Sequence, residues 1–492
     1  MTITSFKQET CTRKIIPDMF CSPTATTGKF VSPLKLNKYK KHSIFRTSWI
    51  RDKSTLILFA VLILPVVIFC VSYMTLFGVY EKTVFPITRT SEVSELAIKR
   101  AIIYNSQTYN ETNQISFAGS KNHSETTHDY KLVCYYNFPN KEVNPLKSEN
   151  VDPFLCTHIN LAFVSVLNNT LYISDAQTAT IRRIAALKLI NPKLKVLLSV
   201  GGAGNTSGFG TMVTNHGNRK TFIKSVMNCI RNYRIDGIDL DWEYPNEDRK
   251  QRMHFTQLLE EFRASINRQN KPYLLTVAVA APVPIVDTAY DVMYMNDYVD
   301  YVNLMSYDYH FYTKYTPFTG LNSPLYGNSQ DIFIFATLNM NYTVNYWNYK
   351  GMDRNKIVVG LPTYGHSFKL MNPRNNGLFA PASGYGKLGS NGFIDYGQVC
   401  VFLTLNHISP IFDMDTKSPY ASKYLEWISF DDEQSLSYKA EFIRDNHYGG
   451  AMVYSMNTDD HKGMCASVGK STMKKFPLIN TIKQVLSEKS LN

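Results

Sequence analysis

The chain has 492 residues, 44% hydrophobic and 19% charged, with 52 Lys and Arg against 40 Asp and Glu, a net charge of +12. A nucleic-acid binder would gather that surplus into a groove interleaved with stacking aromatics. Instead, the first 53 residues hold eleven Lys and Arg against three acids, so +8 lies in that tail, and no nucleic-acid partner is expected.

Residues 1–53 read as this basic tail. Residues 54–80 contain an uncharged apolar run from Thr55 to Val79. About 20 such residues cross a bilayer, and a residue such as Pro65 is tolerated inside a membrane helix. A cleaved signal peptide would carry a shorter apolar core nearer the start of the chain. The run is therefore read as one transmembrane signal-anchor. The positive-inside rule places the tail in the cytosol and the rest outside or in a lumen, a single-pass type II arrangement. Residues 81–128 are polar and read as a stalk. Glycosylation sequons occur at Asn110, Asn122, Asn168, Asn205 and Asn341, all beyond the span.

From residue 129 to about 485, short apolar runs alternate with helical stretches, the pattern of a parallel sheet covered by helices. Predicted strands are Leu132–Tyr136, Cys156–Phe163, Lys195–Gly202, Tyr273–Val279, Tyr301–Asp308, Lys356–Gly365 and Gly450–Met456, with a helix over Arg219–Tyr233. Residues 486–492 are a short tail.

Between that helix and the Tyr273 strand lies the run Asp236-Gly237-Ile238-Asp239-Leu240-Asp241-Trp242-Glu243-Tyr244-Pro245. A strand's side chains alternate with period two. Asp239, Asp241 and Glu243 thus share one face, and Ile238, Leu240 and Trp242 the other; Asp236 has the opposite parity to the three acids. Crowded carboxylates repel, so at least one should hold a proton near neutral pH. A protonated carboxyl at the end of such a row suits a general acid at a glycosidic bond.

The run resembles the D-x-x-D-x-D-x-E signature of glycoside hydrolase family 18, the chitinase-like family, with Asp236, Asp239, Asp241 and Glu243 in its four acidic places. Residues 195–202 match its S-x-G-G strand, ending in Gly201 and Gly202, and the other predicted strands follow in the family's order. The resemblance implies an α/β fold: a (β/α)8 TIM barrel with a small α+β lobe inserted over about 368–430, preceded here by one transmembrane helix. Such barrels carry their active residues at the C-terminal ends of strands, where Glu243, Asp308 and His366 are expected. The membrane-anchored arrangement resembles nematode chitinase-like proteins.

The resemblance also implies roles. Glu243 would protonate the glycosidic oxygen and later act as base for water, while the substrate's own acetamido oxygen attacks the anomeric carbon. Asp241 would orient the acetamido N–H, Asp239 would share a proton with Asp241, and Asp236 would support the pair from deeper in the protein. Tyr307 would donate to the acetamido oxygen. Tyr135, Phe163, Met305, Asp308, Tyr364 and Tyr454 would line the sugar sites. The family's pairing maps to disulfides Cys134–Cys156 and Cys400–Cys465, leaving Cys229 reduced. The sequence departs from the family at four positions: Ala203 and Tyr454 replace Trp, His366 replaces Arg, and Phe311 replaces Gly. The partners implied are chitin or N-acetylglucosamine-containing glycans, and the membrane through one helix. No metal or cofactor motif is present, and nothing in the sequence sets an oligomeric state. Two functions are expected to compete: a hydrolase of β-1,4-linked N-acetylglucosamine polymers, and a lectin-like or signalling binder of chitin oligosaccharides.

Overall fold

The computed structural model describes residues 130–139, 145–246, 248–469 and 471–488. The expected tail, membrane span and stalk, with Asn110 and Asn122, lie outside the described residues. Among the described residues, no helix is long and apolar enough to cross a membrane.

Fifteen strands are described. The first eight are β1 (Lys131–Asn137), β2 (His158–Leu167), β3 (Thr170–Tyr172), β4 (Lys195–Gly201), β5 (Gly237–Asp241), β6 (Leu274–Ala280), β7 (Tyr301–Met305) and β8 (Ile357–Pro362). Then come β9 (Tyr364–Leu370), β10 (Ala382–Tyr385), β11 (Phe393–Asp395), β12 (Ile411–Asp413), β13 (Ser418–Lys423), β14 (Glu426–Ser429) and β15 (Gly450–Tyr454). Parallel pairing runs β1, β15, β8, β7, β6, β5, β4, β2 and returns from β2 to β1, which closes an eight-stranded barrel. Strand β3 is a hairpin extension, antiparallel to β2.

Helices cover the barrel where the sequence offers both a cap and an apolar stripe. Helix Asp175–Ala186 starts at a capping box of Ser174 and Gln177. Asn215 accepts from Asn218 N at the start of His216–Tyr233, and Asp248 accepts from Gln251 N at the start of Arg249–Asn267. The inner faces of these helices meet the outward side chains of the strands. Ile238 and Leu240 of β5 are fully buried there, and Trp242 packs 5.3 Å from Phe209 and 5.7 Å from Phe255, centroid to centroid. Burying an aliphatic side chain of this kind contributes roughly 1.5–3 kcal/mol. A tight apolar backing thus anchors the strand that carries acids on its other face.

Strands β9 to β14 form a separate six-stranded antiparallel sheet, the inserted lobe. It starts at Tyr364, four residues before the expected boundary. His366 accordingly lies within β9, paired to Phe393 and Ser429, and not at the end of a barrel strand. The run that reads as one strand, 356–365, breaks at Thr363, where β8 leaves the barrel and β9 enters the lobe.

The disulfides join Cys134 of β1 to Cys156 and Cys400 of helix Tyr396–Leu405 to Cys465. Cys229 is free and buried. Burial raises its thiol to about 12, which makes it inert.

Candidate active site

The acids of β5 fall where the alternation puts them, but they are held very differently. Asp239 is fully buried in the barrel interior. Its Oδ2 accepts from the hydroxyls of Tyr135 and Ser199, each at 2.7 Å. Its Oδ1 accepts from Thr276 Oγ1 at 2.6 Å and Asn303 Nδ2 at 3.0 Å. Ser199, Asp239 and Thr276 sit in one register across β4, β5 and β6. Burial raises the Asp239 carboxyl, and these four hydrogen bonds oppose the rise.

Asp241 stands one step higher, 3% exposed, and its Oδ1 has no hydrogen-bond partner. Burial raises its carboxyl well above the ordinary range, and the charges of Glu243 and Asp239 add to the rise. The carboxylate with four donors favours ionisation, and the one without disfavours it. Of the two, Asp241 is the less favourable place for a negative charge. No hydrogen bond joins the two carboxyls, so the expected sharing is electrostatic. Glu243, two residues past the end of β5, is half-buried. Burial and then the charge of Asp308 raise it to about 7.

Gly201 and Gly202 let β4 approach this row. Gly201 has φ 108°, and a Cβ there would lie 2.1 Å from the Asp241 carbonyl oxygen. At Gly202, φ 81°, a Cβ would lie 2.7 Å from the Phe163 ring. The Gly202 N–H donates to Asp241 O at 2.8 Å. A side chain at either position would push Asp241 or Phe163 aside, so the paired glycines set the shape of the site.

Above the acids lies an aromatic basin. Tyr454, at the end of β15, is its centre: its ring centroid is 5.7 Å from Tyr135, 6.4 Å from Phe163, 6.1 Å from Tyr307 and 6.2 Å from Tyr364. Met305 packs against the same group. The Tyr307 hydroxyl, 3.8 Å from Met452 Sδ, is raised well above its usual value by burial and by surrounding acidic groups. It stays a neutral donor. Asp308 is exposed and has φ 57°. Its Oδ1 accepts from the Tyr364 hydroxyl and stands against His366 Nε2, both at 2.7 Å. Phe311 leans on the His366 ring at 5.6 Å.

Asp236 does not join the cluster. It precedes β5 at the opposite end of the barrel, where its carboxylate accepts from Val196 N at 2.8 Å and lies 2.8 Å from Lys188 Nζ. It locks β4 to β5 and does not support Asp239 or Asp241. Tyr135 acts beneath the basin, through its hydrogen bond to Asp239. Ser199, Thr276 and Asn303 were missed by sequence reasoning. Their signal is a lone polar residue at an inward position of an otherwise apolar strand.

The Glycosyl hydrolases family 18 profile matches residues 131–459. The chain belongs to glycoside hydrolase family 18. Within the family, human Chitinase-3-like protein 2 is 38% identical over 371 residues, 73% of this chain and 93% of that protein. The structure of human YKL-39, described as a pseudo-chitinase with retained chitooligosaccharide binding, superimposes with a TM-score of 0.69 at 36% identity, over 73% of this chain and 100% of that one. The Ostrinia furnacalis Group IV chitinase superimposes with a TM-score of 0.68 at 32% identity, over 73% and 100%. This family 18 domain is thus similar both to an enzyme and to a protein described as a binder.

Among its sequons, Asn168 is exposed in the turn between β2 and β3. Asn205 is half-buried, and its Nδ2 donates to Val164 O at 3.2 Å and Gly201 O at 3.0 Å. That nitrogen already serves the loop that carries Gly201. Asn341 is half-buried on helix Met340–Tyr349.

Proposed function

We propose that this family 18 domain hydrolyses β-1,4-linked N-acetylglucosamine polymers with retention, using the substrate's acetamido group as nucleophile. The observation that carries the reading is the graded row on β5. Asp239 is raised by burial against four opposing hydrogen bonds, Asp241 is raised further with no such support, and Glu243, at about 7, can be both protonated and able to give its proton up near neutrality. In this reading Glu243 protonates the leaving oxygen, then takes a proton from the attacking water. Asp241 orients the acetamido group and, as its proton passes to Asp239, stabilises the cation formed on ring closure with its carboxylate. Tyr307, a neutral phenol beside them, donates to the acetamido oxygen. Holding that oxygen against the anomeric carbon supplies the advantage of an intramolecular attack. Asp308, Tyr364, Met305, Phe163 and Tyr454 line the sugar sites.

The second reading is a binder of chitin oligosaccharides with little turnover. Tyr454 and Ala203 favour it, because each puts a smaller surface where the family carries Trp. Hydrolysis of chitotriose-type and N-glycan substrates by the full-length protein decides between the two. Cleavage that is lost in Glu243→Gln establishes the enzyme; binding without cleavage on every substrate establishes the binder.

We further propose that residues 54–80 anchor the chain as a type II membrane protein, with the barrel outside or in a lumen. The basic tail, the uncharged run and the downstream sequons support this.

A further inference from the structure

Beneath the active site, the barrel interior holds polar side chains that the acids leave unused. Asn160 of β2 is fully buried, and among the described residues neither its Oδ1 nor its Nδ2 has a hydrogen-bond partner. The same holds for the buried Tyr301 hydroxyl of β7 and for Asn303 Oδ1, two residues further along that strand. These residues converge from opposite walls: β4, β5 and β6 separate β2 from β7 on one side, and β1, β15 and β8 on the other. The His158 ring of β2 nevertheless meets the Tyr301 ring edge-on, with centroids 5.7 Å apart at 84°. Asn160 and Asn303 each lie two residues past that contact on parallel strands, so both point inward just above it. Asn160 is the register partner of Tyr135, whose hydroxyl is 3.3 Å from Asn303 Nδ2. Gly237 shares the inner face with Asp239 and puts no side chain into the space beneath that acid.

We propose that Asn160, Asn303 and Tyr301 hold an internal water in the barrel, and that this water fixes the Asn303 amide so that its Nδ2 stays on Asp239. Buried polar groups left bare are costly, and an internal water takes about two to four hydrogen bonds from such groups. The converging atoms are two amide oxygens, one amide nitrogen and a phenol, a mixture of donors and acceptors that suits water. A cation would suit the two oxygens but not Asn160 Nδ2 or the phenolic hydrogen. Burial, and then the charges of Asp239 and Asp300, raise the Tyr301 phenol well above its usual value, so it keeps that hydrogen. With a donor on its Oδ1, the Asn303 amide keeps Nδ2 on Asp239 Oδ1 at 3.0 Å. Turned over, it would set an oxygen against the Asp239 carboxylate. The Asn303 donation favours ionised Asp239, so Asn160 and Tyr301 are positioning residues that act on the acid pair through Asn303. The titratable groups facing Asp239 are Asp241 on its own strand and the phenols of Tyr135 and Tyr301. Both phenols are raised well above their usual value, first by burial, which leaves the acid pair as the part that titrates.

The test uses the full-length protein in detergent. A crystal structure fine enough to show ordered water should place one within hydrogen-bond reach of Asn160, Asn303 and Tyr301. Asn160→Leu and Tyr301→Phe should each lose that water, and the Asn303 Nδ2–Asp239 contact should lengthen or turn over. Tyr301→Phe removes one oxygen and keeps the ring, which guards against a variant that simply fails to fold. Chitotetraose affinity is then followed against pH; this readout rests on the cleft binding chitooligosaccharide, as the hydrolase and the binder both require. A weaker donor raises Asp239, so the acid limb of affinity should move up by about half a pH unit or more, with affinity at neutral pH unchanged. The double variant should shift no further than the larger single, because either change removes the same water. Asn160→Ser, which keeps a hydroxyl toward the water, should retain the wild-type limb. A dry interior, a metal ion in place of the water, or loss of the water with the Asn303 contact and the acid limb unmoved overturns the proposal. The crystal readouts need neither ligand nor turnover, so failure of the hydrolase reading is scored separately, by hydrolysis with wild-type Glu243.

Discussion

Asp239 and Asp241 are two residues apart on one strand, yet Asp239 accepts four hydrogen bonds while Asp241 keeps a buried oxygen with none. The asymmetry makes Asp241 the costlier of the two to ionise. The row ends in Glu243, whose carboxyl is raised to about 7 for a different reason: it loses solvation and faces the charge of Asp308.

Glu243→Gln should lower turnover on chitooligosaccharides by about 10²–10⁴-fold, the usual span for removing a general acid–base group. Affinity for chitotetraose should change little, since the amide keeps the shape. Steady-state hydrolysis and calorimetric titration on the same preparation check both. Equal turnover in wild type and variant would remove Glu243 from its role.

The alkaline limb of kcat/KM should be set by Glu243. Its raised value keeps the proton on up to about 7, so activity should hold below that pH and fall above it. The same shift has a stability sign. A carboxyl that binds its proton more tightly when folded contributes stability below the unfolded pKa and loses it as pH rises through the folded one. Glu243→Gln should therefore match wild type near pH 4 and exceed it by about 1–3 kcal/mol above pH 8, measured by urea unfolding at both pH values.

Tyr454→Trp should tighten chitooligosaccharide binding by about 1 kcal/mol, or roughly fivefold, because a larger ring would face the sugar at the centre of the basin. Titration of wild type and variant with one oligosaccharide measures it. Unchanged or weaker binding would mean that the surrounding Tyr135, Phe163, Tyr307 and Tyr364 rings already set the site to the smaller residue.

Cys400→Ser should destabilise the barrel by about 2–5 kcal/mol, because it frees the link between helix Tyr396–Leu405 and the segment holding Cys465. Under native conditions, alkylation should leave Cys229 unmodified, since burial holds its thiol near 12. Peptide mapping with and without denaturant reads both cysteine states.

Glycan mapping of protein from a secretory host should find Asn168 occupied and Asn205 empty. A glycan on Asn205 Nδ2 would displace a hydrogen that the loop uses on Val164 O or Gly201 O. Occupancy of Asn205 in an active, folded protein would show that the loop on Gly201 tolerates the loss.

Much of this could be read from residue order, and the physical reason is period. Alternation on β5 was enough to separate Asp239, Asp241 and Glu243 from Ile238, Leu240 and Trp242, and the succession of apolar runs was enough for the barrel strands. What alternation cannot say is what faces a side chain from another strand. Ser199, Thr276 and Asn303 reach Asp239 from three separate strands, so only the closed barrel revealed why the two neighbouring acids are held so differently. Asp236 matched the acidic pattern, but its place before β5 sent it to the far end of the barrel, onto Lys188. His366 read as the end of a barrel strand until the sheet switched at Thr363. Asn160 and Tyr301 lie in apolar strands with nothing in their order to say what they meet. Packing decided, because closing the barrel brought β2 and β7 face to face across the interior.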